Sequence, residues 1–470
     1  MKQLIRSLKV VFLLFCLLSA TLLGGIIWQQ NKSQKLLLQS SNENKQALKS
    51  RYAEAATVYS RDKVKLAYSE EGDRVYAENP ELARSLIQTL GDYTHNIGNT
   101  IEGAYQDRLI ATGRPWYKQI ILDFMGKGKQ GDDILLTIHS QLNLAAQSYL
   151  EGLSGSIVLL NYKTGEILVA VSTPNTYPTN VVNWENIPDS ALFNRCFASQ
   201  YAPGSTFKII TGTAWTRSPD YDPDYVMTCK GQEPLLGPGS VVENRNEESH
   251  GQLNMQTAFA VSCNHFFGDV GLKAGPDLLS DTAEEYGFNK SLNLGKLAAR
   301  TGKYKTAVND RFLLTWQAIG QPIDKNELTV STLHLAMIAG AVANDGTMMT
   351  PYLIENFIDP LGQAYEKTNP SVFSQVSQKA DLEAIKEDLI YTVNQGRSAG
   401  SYIAGYQVGG KTGTAESVND NGEVQSNSLY AGFVADPDHP YAIGIVIENG
   451  IYDLAGIAGG MLTQSINLQP

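Results

Sequence analysis

Strand-like runs stand at both ends of a long segment of this chain, and helical patterns fill its middle. Residues 156–161 and 167–172 are β-rich runs joined by the turn Lys163-Thr164-Gly165, which is a hairpin signal. Helical patterns dominate from Ser205 to about Ala343. Strand patterns return at 406–408, 429–434 and 441–448. A chain ordered this way buries its strands by pairing the first with the last. The expected main domain is therefore α+β, with a sheet that pairs its first and last strands.

With 470 residues, two or three parts are expected. Residues 10–28 are uncharged and mostly apolar. As a helix this stretch would be about 28 Å long, close to the hydrocarbon thickness of a bilayer. Lys2, Arg6 and Lys9 precede it, and the first acidic residue is Glu43. The positive-inside rule then leaves residues 1–9 as a cytoplasmic tail, with everything after Trp28 outside. A cleaved leader is the competing reading. The apolar run continues past its small residues, Ser19-Ala20-Thr21 and Gly24-Gly25, to Trp28, which favours an uncleaved, single-pass N-terminal transmembrane helix.

The expected organisation beyond residue 28 is a stalk and small mixed pedestal domain over 29–150, then the main domain over 151–470. Within the first, 31–51 reads as a helical stalk, 77–80 and 98–103 as turns, 134–138 as a strand and 141–150 as a helix. The charge balance, 37 Lys+Arg against 48 Asp+Glu, gives net −11 and argues against nucleic acid as a partner. Cys16 lies in the apolar stretch; Cys196, Cys229 and Cys263 lie beyond it. Their wide spacing makes neither a disulfide framework nor a zinc motif, although one pair among the last three is free to bridge. No metal and no cofactor are expected.

The chemistry-bearing stretch is Ser205-Thr206-Phe207-Lys208, directly behind Tyr201-Ala202-Pro203-Gly204. Pro and Gly end what precedes, and the run from Lys208 to Trp215 starts a helix. Serine at a helix start with lysine three residues on places hydroxyl and amine on one face. A desolvated lysine is a base able to activate such a hydroxyl. Two further tripeptides stand in suitable order and context. Ser262-Cys263-Asn264 follows a helix-like run, so it falls at a helix end or loop. Lys411-Thr412-Gly413-Thr414 follows Gly409-Gly410 and leads the strand-rich C-terminal region. Each motif alone is weak, since Ser-x-x-Lys recurs at Ser60, Ser-x-Asn at Ser40, Ser291, Ser417 and Ser465, and Lys-Thr-Gly at Lys163.

Together these motifs resemble those of the penicillin-binding protein transpeptidases, of the bitopic class B kind with a short pedestal. The resemblance extends to Ala202–Lys208, Val408–Glu416, Ala343–Pro351, Ser172-Thr173-Pro174 and Leu192–Arg195, and covers Gly155 to the C-terminus. A fainter echo lies at 59–69 and 101–105. The resemblance implies a penicillin-binding/β-lactamase-like transpeptidase domain, an antiparallel sheet flanked by helices, that cross-links peptidoglycan stem pentapeptides and is acylated by β-lactams. It implies Ser205 as nucleophile, Lys208 as base, Ser262 as proton relay and Lys411 as the cation near the substrate carboxylate. It further implies that Asn264, Thr412, Gly413 and Thr414 bind substrate, with the Ser205 and Thr414 amides holding the oxyanion. Gly409, Gly410 and Gly413 are expected to let substrate backbone approach the strand. A polytopic glycosyltransferase polymerase of the shape, elongation, division and sporulation type is the implied partner, at the cell membrane.

Other features have plainer readings. Ser60 and Lys63 are expected at the pedestal surface, and Lys163-Thr164-Gly165 in a hairpin turn. His265, beside Asn264, lacks a carboxylate placed to orient it and is expected to be structural or at the rim. Glu285, two residues before Gly287, reads as a helix C-terminus and not as a deacylating base. Gly320-Gln321-Pro322 departs from the family's usual Gly-Gln-Gly, and 429–433 from its aromatic Ala-Trp-Phe. The rival readings are a D,D-carboxypeptidase or β-lactamase on the same fold, which differ in what attacks the acyl-enzyme, and a non-catalytic scaffold of the cell-wall machinery.

Overall fold

The computed structural model describes residues 9–22, 24–25, 28, 45–181, 184–231, 242–244, 247–321, 327–418 and 424–468. Residues 9–22 are helical, and among the described residues no helix is long and apolar enough to cross a membrane. Residues 31–44 of the expected stalk lie outside the described residues, while Lys45–Tyr52 is a helix.

The N-terminal region is built on four strands, β1 (Val58–Tyr59), β2 (Lys65–Glu70), β3 (Asp73–Tyr76) and β4 (Asp133–Leu136). Strands Ile354–Ile358 and Ala364–Tyr365 return from far along the chain and complete a six-stranded sheet on the β4 side. Two buried ion pairs tie its loops: Arg74 Nε to Glu102 Oε1 at 2.7 Å and Arg114 Nε to Asp132 Oδ1 at 2.6 Å.

Two segments expected as turns are helix starts. Asn79 Oδ1 accepts from Glu81 N and Leu82 N, and Pro80 opens a helix that runs to Leu90. Thr100 likewise caps Ile101–Ala104. Asn, Thr and Pro serve turns and helix N-termini equally well, and the apolar face that distinguishes the two is supplied by packing. Ser60 is buried, not at the surface, because its Oγ accepts Val64 N at 3.0 Å to close a tight turn.

The central sheet holds β5 (Gly155–Asn161), β6 (Ile167–Thr173), β7 (Val408–Val418), β8 (Val424–Val434) and β9 (Tyr441–Ile447) in the order β7-β8-β9-β5-β6. All its pairings are antiparallel. First and last strands meet as the sequence suggests, Tyr441 opposite Asn161 and Ile447 opposite Gly155. The helices that matter are α1 (Ser140–Tyr149), α2 (Lys208–Thr216), α3 (Met255–Val261), α4 (Asn264–Glu285, bent at Gly275), α5 (Thr332–Ala343) and α6 (Leu454–Asn467).

The period-2 alternation of β9 decides the layers. Tyr441, Ile443, Ile445 and Ile447 share a core with Leu142 and Ala146 of α1 and Ala458, Met461 and Leu462 of α6. Ala442 and Val446 face the other core, with Leu333 and Ala336 of α5. Every residue of α5 is buried, Thr332 and His334 included, as befits a helix that is largely apolar on all its faces. Gly444 lets this helix lie close on the sheet, since a Cβ there would stand 2.3 Å from the Thr332 carbonyl oxygen.

Candidate active site

Three backbone features bring the motifs together. The first is the entry to α2. Gly204 has φ 54°, and a Cβ on it would fall 2.4 Å from the Thr414 carbonyl oxygen, so only glycine lets the two segments meet. Gly204–Phe207 forms a 3₁₀ turn, and Lys208 opens α2, whose residues through Trp215 are all buried.

The second is the joint between α3 and α4. Ser262 caps α3 in the left-handed conformation, φ 60°, which turns its carbonyl toward the site. Lys208 Nζ donates to that carbonyl at 2.7 Å, to Asn264 Oδ1 at 2.6 Å and to Ser262 Oγ at 3.2 Å. The third is β7, which among the described residues pairs on only one side, with β8. From it Lys411 Nζ reaches Ser262 Oγ at 3.0 Å.

One hydroxyl is thus shared by two buried ammonium groups. Burial lowers the pKa of Lys208 to about 7, with Cys263 opposing that shift and Arg397 adding to it. Burial also pushes Lys411 well below the usual lysine range, followed by repulsion from Lys208 and Arg397. Two positive charges on one oxygen in a dry site repel, so a proton on either lysine weakens the hold of the other on its own.

The Ser205 hydroxyl is half-exposed and makes no hydrogen bond among the described residues. Lys208, Ser262, Asn264 and Lys411 therefore converge, and Ser205 adjoins them through the backbone without a bond from its side chain. Thr412 and Thr414 are half-exposed on β7. Asn264 is more occupied than its motif suggests: its Nδ2 donates to Glu243 O at 2.6 Å and its backbone N–H to Asn244 Oδ1 at 2.8 Å.

The glycines of β7 make room for the protein itself. A Cβ at Gly409 would stand 2.3 Å from the Phe433 ring, one at Gly410 2.0 Å from the Tyr430 hydroxyl, and one at Gly413 2.9 Å from the Pro203 carbonyl oxygen.

Two further contributors lie outside the three motifs. Gln321 Nε2 donates to Thr414 O at 2.9 Å and Gly320 O accepts from Gly204 N at 2.9 Å, so this segment clamps both backbone pieces beside Ser205. The Gly-Gln pair was visible in the sequence, but its contacts were not. Arg397, a third cation near the lysines, is balanced by Glu248 at 2.5 Å and carries no motif at all.

The plainer readings fare as follows. His265 is buried, Lys163-Thr164-Gly165 turns the β5–β6 hairpin with Gly165 at φ 89°, and Glu285 ends α4 paired with Arg217 at 2.9 Å. All four cysteines are free thiols.

Residues 155–464 match the penicillin binding protein transpeptidase domain, more than half of the chain. The chain belongs to this family. Among its relatives is peptidoglycan D,D-transpeptidase PbpA of Mycolicibacterium smegmatis, 29% identical over 432 residues that cover 85% of each chain. The Mycobacterium tuberculosis PbpA is 26% identical over 84% of each. Among solved structures, the D,D-transpeptidase domain of a peptidoglycan glycosyltransferase from Eggerthella lenta superposes with a TM-score of 0.75 at 29% identity, covering 88% of this chain and 98% of that one. Penicillin-binding protein A of M. tuberculosis, as its imipenem acyl-enzyme complex, shares the fold at a TM-score of 0.77 and 23% identity, over 88% of this chain and 99% of that one. The likeness to these solved structures, at 88% of the chain, covers more of it than residues 155–464.

Proposed function

We propose that this chain is a peptidoglycan D,D-transpeptidase in which Ser205 is acylated by a stem pentapeptide and Lys208 takes its proton. The observation that carries this reading is the sharing of Ser262 Oγ by Lys208 and Lys411, at 3.2 and 3.0 Å, beside a half-exposed serine. Neutral Lys208 accepts the Ser205 proton as Oγ bonds to the carbonyl carbon of the penultimate D-Ala. The developing oxyanion is held by the Ser205 and Thr414 amides, donors of a kind worth about 10²–10³ in rate. The terminal D-Ala leaves as its nitrogen receives a proton through Ser262. An acceptor amine then attacks the acyl-enzyme, and β-lactams stop at the acyl stage.

Lys411, with the Thr412 and Thr414 hydroxyls, binds the substrate carboxylate, whose negative charge favours the proton on Lys411 and leaves Lys208 as the base. Asn264 meets substrate backbone by exchanging its bond to Glu243 O. Gln321 acts as a positioning residue, through Thr414.

The experiment is intact-mass measurement of the protein after penicillin treatment, with peptide mapping. One penicilloyl adduct on Ser205 is expected, and none in Ser205→Ala. An adduct surviving in Ser205→Ala refutes the nucleophile. Rapid release of the adduct by water would instead favour a carboxypeptidase or β-lactamase.

The pH profile follows from the base. Below about pH 7 the second-order acylation rate is expected to rise about tenfold per unit, because only the neutral amine accepts a proton, and to level off above it. A rate constant unchanged from about pH 5 to 8 would assign the base elsewhere.

Residues 10–28 serve as the uncleaved anchor in this reading, with residues 1–9 cytoplasmic, 29–150 a stalk and pedestal, and 151–470 the extracytoplasmic transpeptidase domain. The support is the uncharged run behind Lys2, Arg6 and Lys9. A polytopic glycosyltransferase polymerase of the shape, elongation, division or sporulation type would supply the glycan strands.

A further inference from the structure

Beside the Ser262–Asn264 turn the fold gathers a second cluster that the acyl-transfer chemistry does not use. Strands Met227–Cys229 and Gly251–Leu253 form a short ribbon in which Cys229 pairs with Gly251, so Cys229 and His250 sit at the same end. Cys263 comes from the joint between α3 and α4. One donor atom from each of Cys229, His250 and Cys263 lies within 4.8 Å of the others, with both cysteines fully buried. Cys229 Sγ is 3.8 Å from His250 Nδ1 and 3.7 Å from Nδ1 of buried His265.

Those separations have a physical meaning. With Zn–S about 2.3 Å and Zn–N about 2.0–2.1 Å, neighbouring ligand atoms of a tetrahedral site stand about 3.5–3.8 Å apart. The surroundings fit as well. Asn244 Nδ2 donates to Cys229 Sγ at 3.1 Å, as an amide does toward a metal-bound thiolate, and His250 Nε2 lies 3.6 Å from Glu248 Oε2, a carboxylate placed behind the ring. The spacing of 21 and 13 residues between the three ligands matches no short zinc motif, which is why the sequence concealed the cluster.

We propose that Cys229, His250 and Cys263 bind a zinc ion as three of its ligands. Binding releases one proton from each thiol, so two thiolates neutralise the dication inside the fold. The ion would rivet the 227–253 ribbon to the turn that carries Ser262 and Asn264. It would thereby hold the two groups that receive Lys208 without touching substrate itself.

The test uses the full chain, purified in detergent without a metal-affinity step or chelator. Metal analysis is expected to find about one zinc per chain, lost in Cys229→Ser and Cys263→Ser. Cobalt exchanged into the protein should show thiolate-to-cobalt charge-transfer absorption. His250→Gln supplies a second test that keeps both buried cysteines: it should bind cobalt more weakly, with an altered spectrum. Chelation of the wild type should lower both its melting temperature and its rate of fluorescent-penicillin labelling, and zinc should restore both. Substoichiometric metal together with two free thiols overturns the proposal. So does a mass two hydrogens lower, mapping to a Cys229–Cys263 disulfide.

Discussion

Lys208→Ala is expected to slow acylation by a fluorescent penicillin about 10²–10⁴-fold, the range lost when a general base is removed. The effect should be chemical before it is structural, because Lys208 Nζ is the only described donor that reaches both Ser262 O and Asn264 Oδ1. Truncation also leaves those two acceptors without their ammonium, at about 1–3 kcal/mol each in a buried setting, so some loss of melting temperature accompanies it. Lys208→Met, which keeps the stem volume, and Lys208→Arg separate the two effects. Arginine restores a cation but cannot give up its proton, so it should not rescue acylation. Near-normal labelling of Lys208→Arg, with Ser205 still the modified residue, would exclude Lys208 as the base.

Arg74→Met should destabilise the chain by about 3–5 kcal/mol, the usual cost of leaving one partner of a buried ion pair alone. Arg74 and Glu102 are 1% and 0% exposed at their side chains and meet at 2.7 Å. Glu102 would keep only the Tyr76 hydroxyl, at 2.9 Å, as a side-chain donor. Arg74 also donates to Ala56 O at 2.8 Å, tying the segment that precedes β1. Urea unfolding of the single variant and of Arg74→Met/Glu102→Leu provides the measurement. The double variant should recover much of the loss, because no charge then stays buried. Equal destabilisation of both would mean that Arg74 acts through its backbone contacts and not through the pair.

The sheet and the site differed in how openly the sequence announced them. The β5–β6 hairpin and the β8 and β9 strands were legible because a strand buried on both faces leaves a continuous apolar run. β7 was not, beyond its first residue, since Val408–Val418 is rich in glycine and polar side chains and reads as loop until β8 is laid beside it. Ser205, Lys208, Ser262, Asn264 and Lys411 were legible as short motifs in a fixed order. Gln321 and Arg397 were not, because a contact to a backbone carbonyl or a field at a distance leaves no mark on local residue type.

Local chemistry is what the sequence determined by itself. It set which residues start helices, which runs pair as strands, and which hydroxyl, amines and amide are available for acyl transfer. Tertiary structure decided their protonation and their company. Two lysines 203 residues apart became weaker bases on one serine oxygen only when burial removed the water that would have solvated their charges. Three ligand-bearing side chains, meaningless by spacing, came within 4.8 Å of one another only when a ribbon folded against a helix joint. Covalent neighbours fix residue type and backbone preference, whereas desolvation and long-range proximity exist only once the chain has closed on itself.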